Sequence, residues 1–139
     1  MKASPFIKQI KVIVEKEKEI IAVYVFGSTV QGYVRQESDL DLAFVVGHKN
    51  STSEDRIYHL IKDIHFPKEP DLSVVDLGSS PLFLYQIISL GKRIYVRDES
   101  EANSFEAIVL RRYYDTAHMR AIYYHYLKDK FPHSPYANK

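Results

Sequence analysis

The chain has 139 residues, of which 45% are hydrophobic and 13% aromatic, enough for one domain with a substantial core. Nineteen basic and eighteen acidic residues leave a net charge of +1, without the basic excess typical of a nucleic-acid-binding surface. There is no cysteine, which excludes disulfides, zinc–thiolate sites and thiol nucleophiles. The apolar runs fall short of a membrane span, and the N-terminus lacks a signal-peptide pattern, so we expect a single cytoplasmic domain over residues 1–139.

The first predicted elements are a helix and a strand. Residues 4–20 predict an amphipathic helix, because a Ser-Pro start signal precedes apolar residues at helical spacing. The apolar run of residues 21–26 predicts a buried strand, and Gly27-Ser28 follows it directly. Glycine permits a tight turn and close approach of a ligand, and serine is a favoured helix N-cap. Because free backbone N–H groups at a helix start bind anions, Gly27 and Ser28 are predicted to bind phosphate.

Ten residues further on, Asp39 and Asp41 open a second apolar strand over residues 40–46. Side chains alternate along a strand, so the two carboxylates share a face about 7 Å apart at their α-carbons, while Leu40 and Leu42 point into a core. Two carboxylates this close repel each other unless a cation lies between them. A hard divalent cation such as Mg²⁺ suits carboxylate oxygens and keeps positions for phosphates or water.

Each of these features has an ordinary interpretation when it is taken alone. A Gly-Ser pair usually marks a turn, and an Asp-x-Asp pair usually marks a solvated strand edge. An acidic pair built into a strand of valine, leucine and phenylalanine is costly without a partner, however. The combination therefore predicts a site for a metal–nucleoside triphosphate complex.

A helix is predicted from residues 51–53 to about His65, followed by a third strand over residues 71–77. Because side chains alternate between the two faces of a strand, Asp71 and Asp76 point to opposite faces of that strand. Only one of them can face the metal site, and the pattern alone does not decide which. For Asp76 the ordinary interpretation is a role in a cap or turn.

Residues 81–90 predict a helix that Gly91 ends, and residues 92–97 predict a short strand with three basic side chains. These cations either protect an edge strand or approach a triphosphate, and we favour edge protection. Residues 99–130 then predict one long C-terminal helix or two shorter ones, aromatic on more than one side. Such a helix requires a second surface, either an ordinary core contact or a partner protein, for which tyrosine and arginine are suited.

The alternation of helices and strands predicts an α/β (α+β) domain with a small mixed sheet and packed helices. Gly-Ser, ten residues and Asp-x-Asp together resemble the signature of the DNA polymerase β-type nucleotidyltransferases. Residues 27–44, GSTVQGYVRQESDLDLAF, resemble the minimal nucleotidyltransferase (MNT) branch. The resemblance extends over nearly the whole chain to the MNT-domain antitoxins that pair with HEPN-type RNase toxins. It departs from many relatives at Thr29 and Gln31, where they carry arginines.

The resemblance implies a polymerase β-type fold and the transfer of AMP from ATP to a tyrosine hydroxyl of the toxin. It implies Asp39 and Asp41 as catalytic residues, and Asp39, Asp41 and Asp71 as ligands of Mg²⁺, or of Mn²⁺ in its place. Gly27 and Ser28 would bind the nucleotide. The implied partners are the HEPN toxin and ATP, with no direct contact to nucleic acid or membrane. Two alternatives stay open, namely a non-catalytic antitoxin that acts by occlusion and a small-molecule nucleotidyltransferase.

Overall fold

The computed structural model describes residues 5–26 and 40–130. In these ranges it has five helices and four strands, which confirms the predicted α/β class. The elements in chain order are α1 (Pro5–Val14), β1 (Ile20–Phe26), β2 (Leu40–Val46), α2 (Ser53–Ile61), β3 (Pro70–Val75), α3 (Pro81–Leu90), β4 (Lys92–Val96), α4 (Glu99–Asp115) and α5 (Ala117–Lys130). The predictions for Gly27, Ser28 and Asp39 lie outside the described residues.

The four strands form one mixed sheet in the order β3-β2-β1-β4. Strand β1 is antiparallel to both β2 and β4, and β2 is parallel to β3. The last residue of β1 therefore lies at the same end of the sheet as the first residues of the other three strands. We call this the signature end, and it is defined by Phe26, Leu40, Pro70 and Lys92.

The two faces of the sheet carry separate apolar cores. Helices α1 and α2 cover one face, where Leu40, Leu42 and Phe44 are buried as the alternating pattern predicted. Helices α3 and α4 cover the other face, where Ala43 and Val45 of the same strand are buried. Strand β2 is thus apolar on both faces, which is why its sequence reads as an almost continuous apolar run.

Several boundaries differ from those that the sequence predicted. Helix α2 ends at Ile61 instead of about His65, and β3 ends at Val75 instead of residue 77. Helix α1 ends at Val14 instead of residue 20, and the backbone N–H groups of Glu17 and Ile20 donate to the carbonyls of Val14 and Glu17. The charged run therefore forms turns that lead directly into β1. The C-terminal segment, predicted as one long helix or two shorter ones, is two helices. The helix is interrupted at Thr116, whose hydroxyl donates to the carbonyl of Arg112 at 2.9 Å.

Candidate functional site

Asp41 is the second residue of β2 and lies at the signature end of the sheet. Its neighbours Leu40 and Leu42 are buried against α1 and α2, so strand alternation places Asp41 on the face of α3 and α4. The side chain is half-buried, in contrast to the fully buried Ala43 on the same face. The carboxylate thus lies at the boundary between the apolar core and solvent.

Asp71 is the direct register partner of Asp41 on the neighbouring parallel strand. Paired strands lie about 4.8 Å apart, and register partners point to the same face, so the two carboxylates are neighbours. Asp71 is exposed. The structure therefore brings together two of the three predicted metal ligands, while the third, Asp39, lies outside the described residues although it directly precedes Leu40 of the signature end.

Asp76 lies beyond the opposite end of β3 and is engaged in local structure. Its carboxylate oxygens accept hydrogen bonds from the backbone N–H groups of Lys49 and Gly78, both at 2.8 Å. The bond from Lys49 is the main reason why the pKa of Asp76 is lowered, with a further contribution from Gly78 and the nearby charge of His48. Asp76 thus has the turn role that the sequence suggested, away from the signature end.

Arg93 of β4 and Arg97, which directly follows β4, pair with acidic residues of α4. Arg93 donates to Glu106 at 3.0 Å, and Arg97 forms a two-point pair with Glu101 at 2.7 and 3.0 Å. Lys92 is the register partner of Val25, which places it on the face of α1 and α2, opposite Asp41. Since β4 is an edge strand, this arrangement supports the edge-protecting interpretation of the three cations.

A buried tyrosine hydroxyl beside a partly exposed ion pair, on the face of α3 and α4, had no sequence signal. Tyr24 is 1% exposed, and within the described residues its hydroxyl has no hydrogen-bond partner of good geometry. Burial raises the pKa of Tyr24, and the charge of Glu106 raises it further against the opposing influence of Arg93. The apolar run around Tyr24 predicts a strand, but only tertiary packing brings an ion pair beside its hydroxyl.

Helix α5 is attached to the rest of the protein through its first turns. Tyr113 on α4 stacks on Tyr85 of α3 with ring centroids 3.7 Å apart, and the guanidinium of Arg120 lies 3.9 Å from the centre of the Tyr113 ring. No residue of α5 is buried in the structure of residues 5–26 and 40–130. Its large exposed hydrophobic side chains are Met119, Ile122, Tyr123 and Tyr126.

The described part of the chain lacks two kinds of feature. Residues 5–26 and 40–130 contain no group of three or more His, Cys, Asp or Glu side chains arranged to hold a metal ion. This range includes only two of the three carboxylates predicted at the signature end. No described helix combines the length and apolar character needed to cross a membrane.

Comparison with known families assigns the class of protein. A family model described as polymerase beta, nucleotidyltransferase matches residues 8–100, which is more than half of the chain. The chain belongs to this family of nucleotidyltransferases. The match includes Gly27, Ser28, Asp39, Asp41 and Asp71, and it confirms the family resemblance drawn from the signature. No curated protein matches the chain at a significant level.

The particular relatives come from solved structures. A toxin–antitoxin structure with AMP-PNP is 23% identical, covers 86% of this chain and 95% of its own, and has a TM-score of 0.63. A mutant of the MntA–HpeT toxin–antitoxin pair is 20% identical, with coverages of 84% and 94% and a TM-score of 0.63. A tri-AMPylated Shewanella oneidensis HEPN toxin in complex with MNT antitoxin is 19% identical, with coverages of 84% and 92% and a TM-score of 0.59. These similarities show that the fold is shared.

Proposed function

We propose that this protein is an MNT-type antitoxin that transfers AMP from ATP to a tyrosine hydroxyl of a HEPN-type RNase toxin. The observation that carries the proposal is the pairing of Asp41 with Asp71 at the signature end of a polymerase β-type fold. The structures with a similar fold include an antitoxin in complex with a tri-AMPylated toxin and a toxin–antitoxin structure with AMP-PNP. The paired carboxylates of the site and the AMPylated toxin in the similar structure both support this proposal.

The carboxylates suit a hard divalent cation. Asp41 and Asp71 offer oxygen ligands from neighbouring strands, and Asp39 would add a third from the residue before β2. Mg²⁺, or Mn²⁺ in its place, would offset the charge of the triphosphate and lower the pKa of an acceptor hydroxyl. Gly27 and Ser28 follow Phe26 in the chain and would bind the triphosphate with their backbone and hydroxyl groups.

At the α-phosphorus the reaction forms one bond and breaks one. The tyrosine oxygen of the toxin attacks the α-phosphorus of ATP, and the bond from that phosphorus to the bridging oxygen breaks, so that pyrophosphate leaves with the electron pair. The hydroxyl proton passes to a base within hydrogen-bond reach or to water. Asp71 either shares the metal or accepts this proton, and its exposed carboxylate at the signature end is open to an acceptor from a partner protein.

Helices α4 and α5 are the proposed toxin-binding surface. Tyr123 is 63% exposed and Tyr126 51%, and both belong to a helix without a buried residue in the described structure. Tyrosines on such a surface provide large contact areas at low entropic cost.

Replacing both tyrosines by alanine should weaken toxin binding at least about tenfold. The matched control is Tyr58→Ala on α2, where the side chain is 58% exposed.

The test of the reaction is label transfer. The purified protein and its HEPN partner are incubated with Mg²⁺ and ATP labelled on either the α- or the γ-phosphate, and protein-bound label is measured. Label from the α-phosphate on the toxin, lost in the Asp39→Ala/Asp41→Ala variant, is the expected result. Label from the γ-phosphate would indicate a kinase. Modification of a metabolite without any protein acceptor would favour a small-molecule nucleotidyltransferase.

The second candidate is an antitoxin that neutralises its toxin by occlusion alone. The exposed surface of α5 supports it, as does the presence of Thr29 and Gln31 where many relatives carry arginines. Protection of cells from the toxin distinguishes the two functions. It should disappear in the Asp39→Ala/Asp41→Ala variant if AMP transfer is required, and it should persist if binding suffices.

A further inference from the structure

Phe26 is the residue at which β1 ends and after which Gly27 and Ser28 follow. It is the register partner of Asp41, so its position relates the start of the predicted phosphate-binding pair to the metal-binding strand. The side chain is half-buried on the face of α3 and α4. Contacts that fix the position of Phe26 therefore also fix the backbone position from which the chain continues to Gly27.

Two residues of the α3–β4 region lie close to Phe26. The ring of Phe83 on α3 meets the ring of Phe26 edge to face, with centroids 6.1 Å apart and planes at 72°. Gly91, which links α3 to β4, lies against the backbone of β1. A Cβ atom at Gly91 would be 3.2 Å from the Cβ of Phe26 and 3.2 Å from the carbonyl oxygen of Val25.

The close packing around Gly91 leaves no room for a side chain. Its backbone N–H donates to the carbonyl of Ile87 at 2.9 Å and ends α3. A Cβ at this position would overlap that same carbonyl oxygen and would also be in tight contact with Val25 and Phe26. Its φ of −90° is accessible to any residue, so glycine is required by space and not by backbone conformation.

We propose that Gly91 and Phe83 are positioning residues for the nucleotide, because they fix Phe26 and thereby the start of the Gly27-Ser28 segment. The inference rests on the proposed function, in which Gly27 and Ser28 bind the triphosphate. Misplacing a binding group by about 1 Å can cost about a hundredfold in rate or affinity. A residue that displaces Phe26 should therefore weaken nucleotide binding without touching the nucleotide.

The first test is Gly91→Ala, with Gly47→Ala as its control. A Cβ at Gly47 would meet no atom of the described structure within 4 Å, and Gly47 follows the opposite end of β2. Binding of AMP-PNP with Mg²⁺ and binding of the toxin are measured by calorimetry. Gly91→Ala should raise the Kd for AMP-PNP by about tenfold or more and leave the Kd for the toxin unchanged. Gly47→Ala should change neither constant.

The second test covers the case in which Gly91→Ala does not fold. Phe83→Leu removes the edge-to-face contact, and Phe105→Leu makes the same change in the same apolar core on α4. Both variants should lower the melting temperature, but only Phe83→Leu should raise the Kd for AMP-PNP. Equal AMP-PNP affinities for the two leucine variants would overturn the positioning role.

The outcomes separate this inference from the proposed function. Wild-type protein that binds AMP-PNP but transfers no label to the toxin would overturn the proposed reaction and leave the positioning role to be judged by the variants. Wild-type protein that does not bind AMP-PNP would overturn both. Wild-type transfer together with unchanged AMP-PNP affinity in the Phe83→Leu and folded Gly91→Ala variants would overturn the positioning role alone.

Discussion

Asp41 and Asp71 are register partners on the parallel strands β2 and β3, thirty positions apart in the chain and adjacent in the sheet. Because they point to the same face, a cation bound by one carboxylate lies within reach of the other. Phe26 on β1 is the third residue of this row across the sheet. In this row, the last residue of β1, which precedes Gly27, lies beside the acidic residues near the starts of β2 and β3.

Asp71→Asn should reduce AMP transfer to the toxin at least about a hundredfold, because the amide neither binds a divalent metal well nor accepts the hydroxyl proton. Initial rates of transfer of α-phosphate label measure the effect. Mg²⁺ with AMP-PNP should raise the melting temperature of the wild type more than that of this variant. Asp76→Asn, just beyond the far end of β3, is the control, and a comparable loss of transfer in it would contradict the assignment.

Asp76→Asn should lower the free energy of unfolding by about 1 kcal/mol at pH 7, since the carboxylate accepts hydrogen bonds from Lys49 and Gly78. Its pKa is lowered from the ordinary value of 3.8 in the folded protein. The extra stability of the wild type is therefore complete above the ordinary pKa and is lost as the pH falls through the lowered one. Urea unfolding of both proteins between pH 7 and pH 2 measures this; a stability difference that does not narrow as the pH falls would contradict it.

Tyr24→Phe should leave the free energy of unfolding unchanged or raise it by up to about 1 kcal/mol. The hydroxyl is buried, and no hydrogen bond of good geometry to the described residues offsets the loss of its hydration. Chemical denaturation at pH 7 measures the change, with Tyr58→Phe on the exposed face of α2 as the control. A loss above about 1 kcal/mol would show that the hydroxyl bonds productively to Glu106 or Arg93.

Arg120→Ala should loosen α5 and leave the sheet intact. The guanidinium stacks on Tyr113 and donates to the carbonyl of that residue at 2.7 Å, which together contribute about 1 to 2 kcal/mol. Amide hydrogen exchange in residues 117–130 should accelerate about tenfold, with unchanged protection in β1 and β2. Lys128→Ala is the matched control because Lys128 is exposed on the same helix. Equal acceleration in both variants would refute the role of Arg120.

Much of the fold was predictable from local pattern. The apolar runs of β1 and β2 and the serine–proline start of α3 act within a few residues, and the structure has these elements at or within one residue of the expected positions. The edge position of β4 also agrees with its charge. Helix α1 ends at Val14, six residues before the predicted end. The charged residues after Val14 are compatible with a helix, and their pattern does not show where the chain must turn to enter the sheet.

The sequence by itself determined the alternation in β2 that sets Asp41 apart from the buried Leu40 and Leu42, since this depends only on strand geometry. The alternation of side chains along β3 could not show which of Asp71 and Asp76 faces the predicted metal site. Tertiary structure decided this, because it placed Asp71 beside Asp41 and Asp76 beyond the far end of β3. It also decided that Gly91 contacts the end of β1. Register and close backbone approach arise between segments distant in the chain, so no local pattern encodes them.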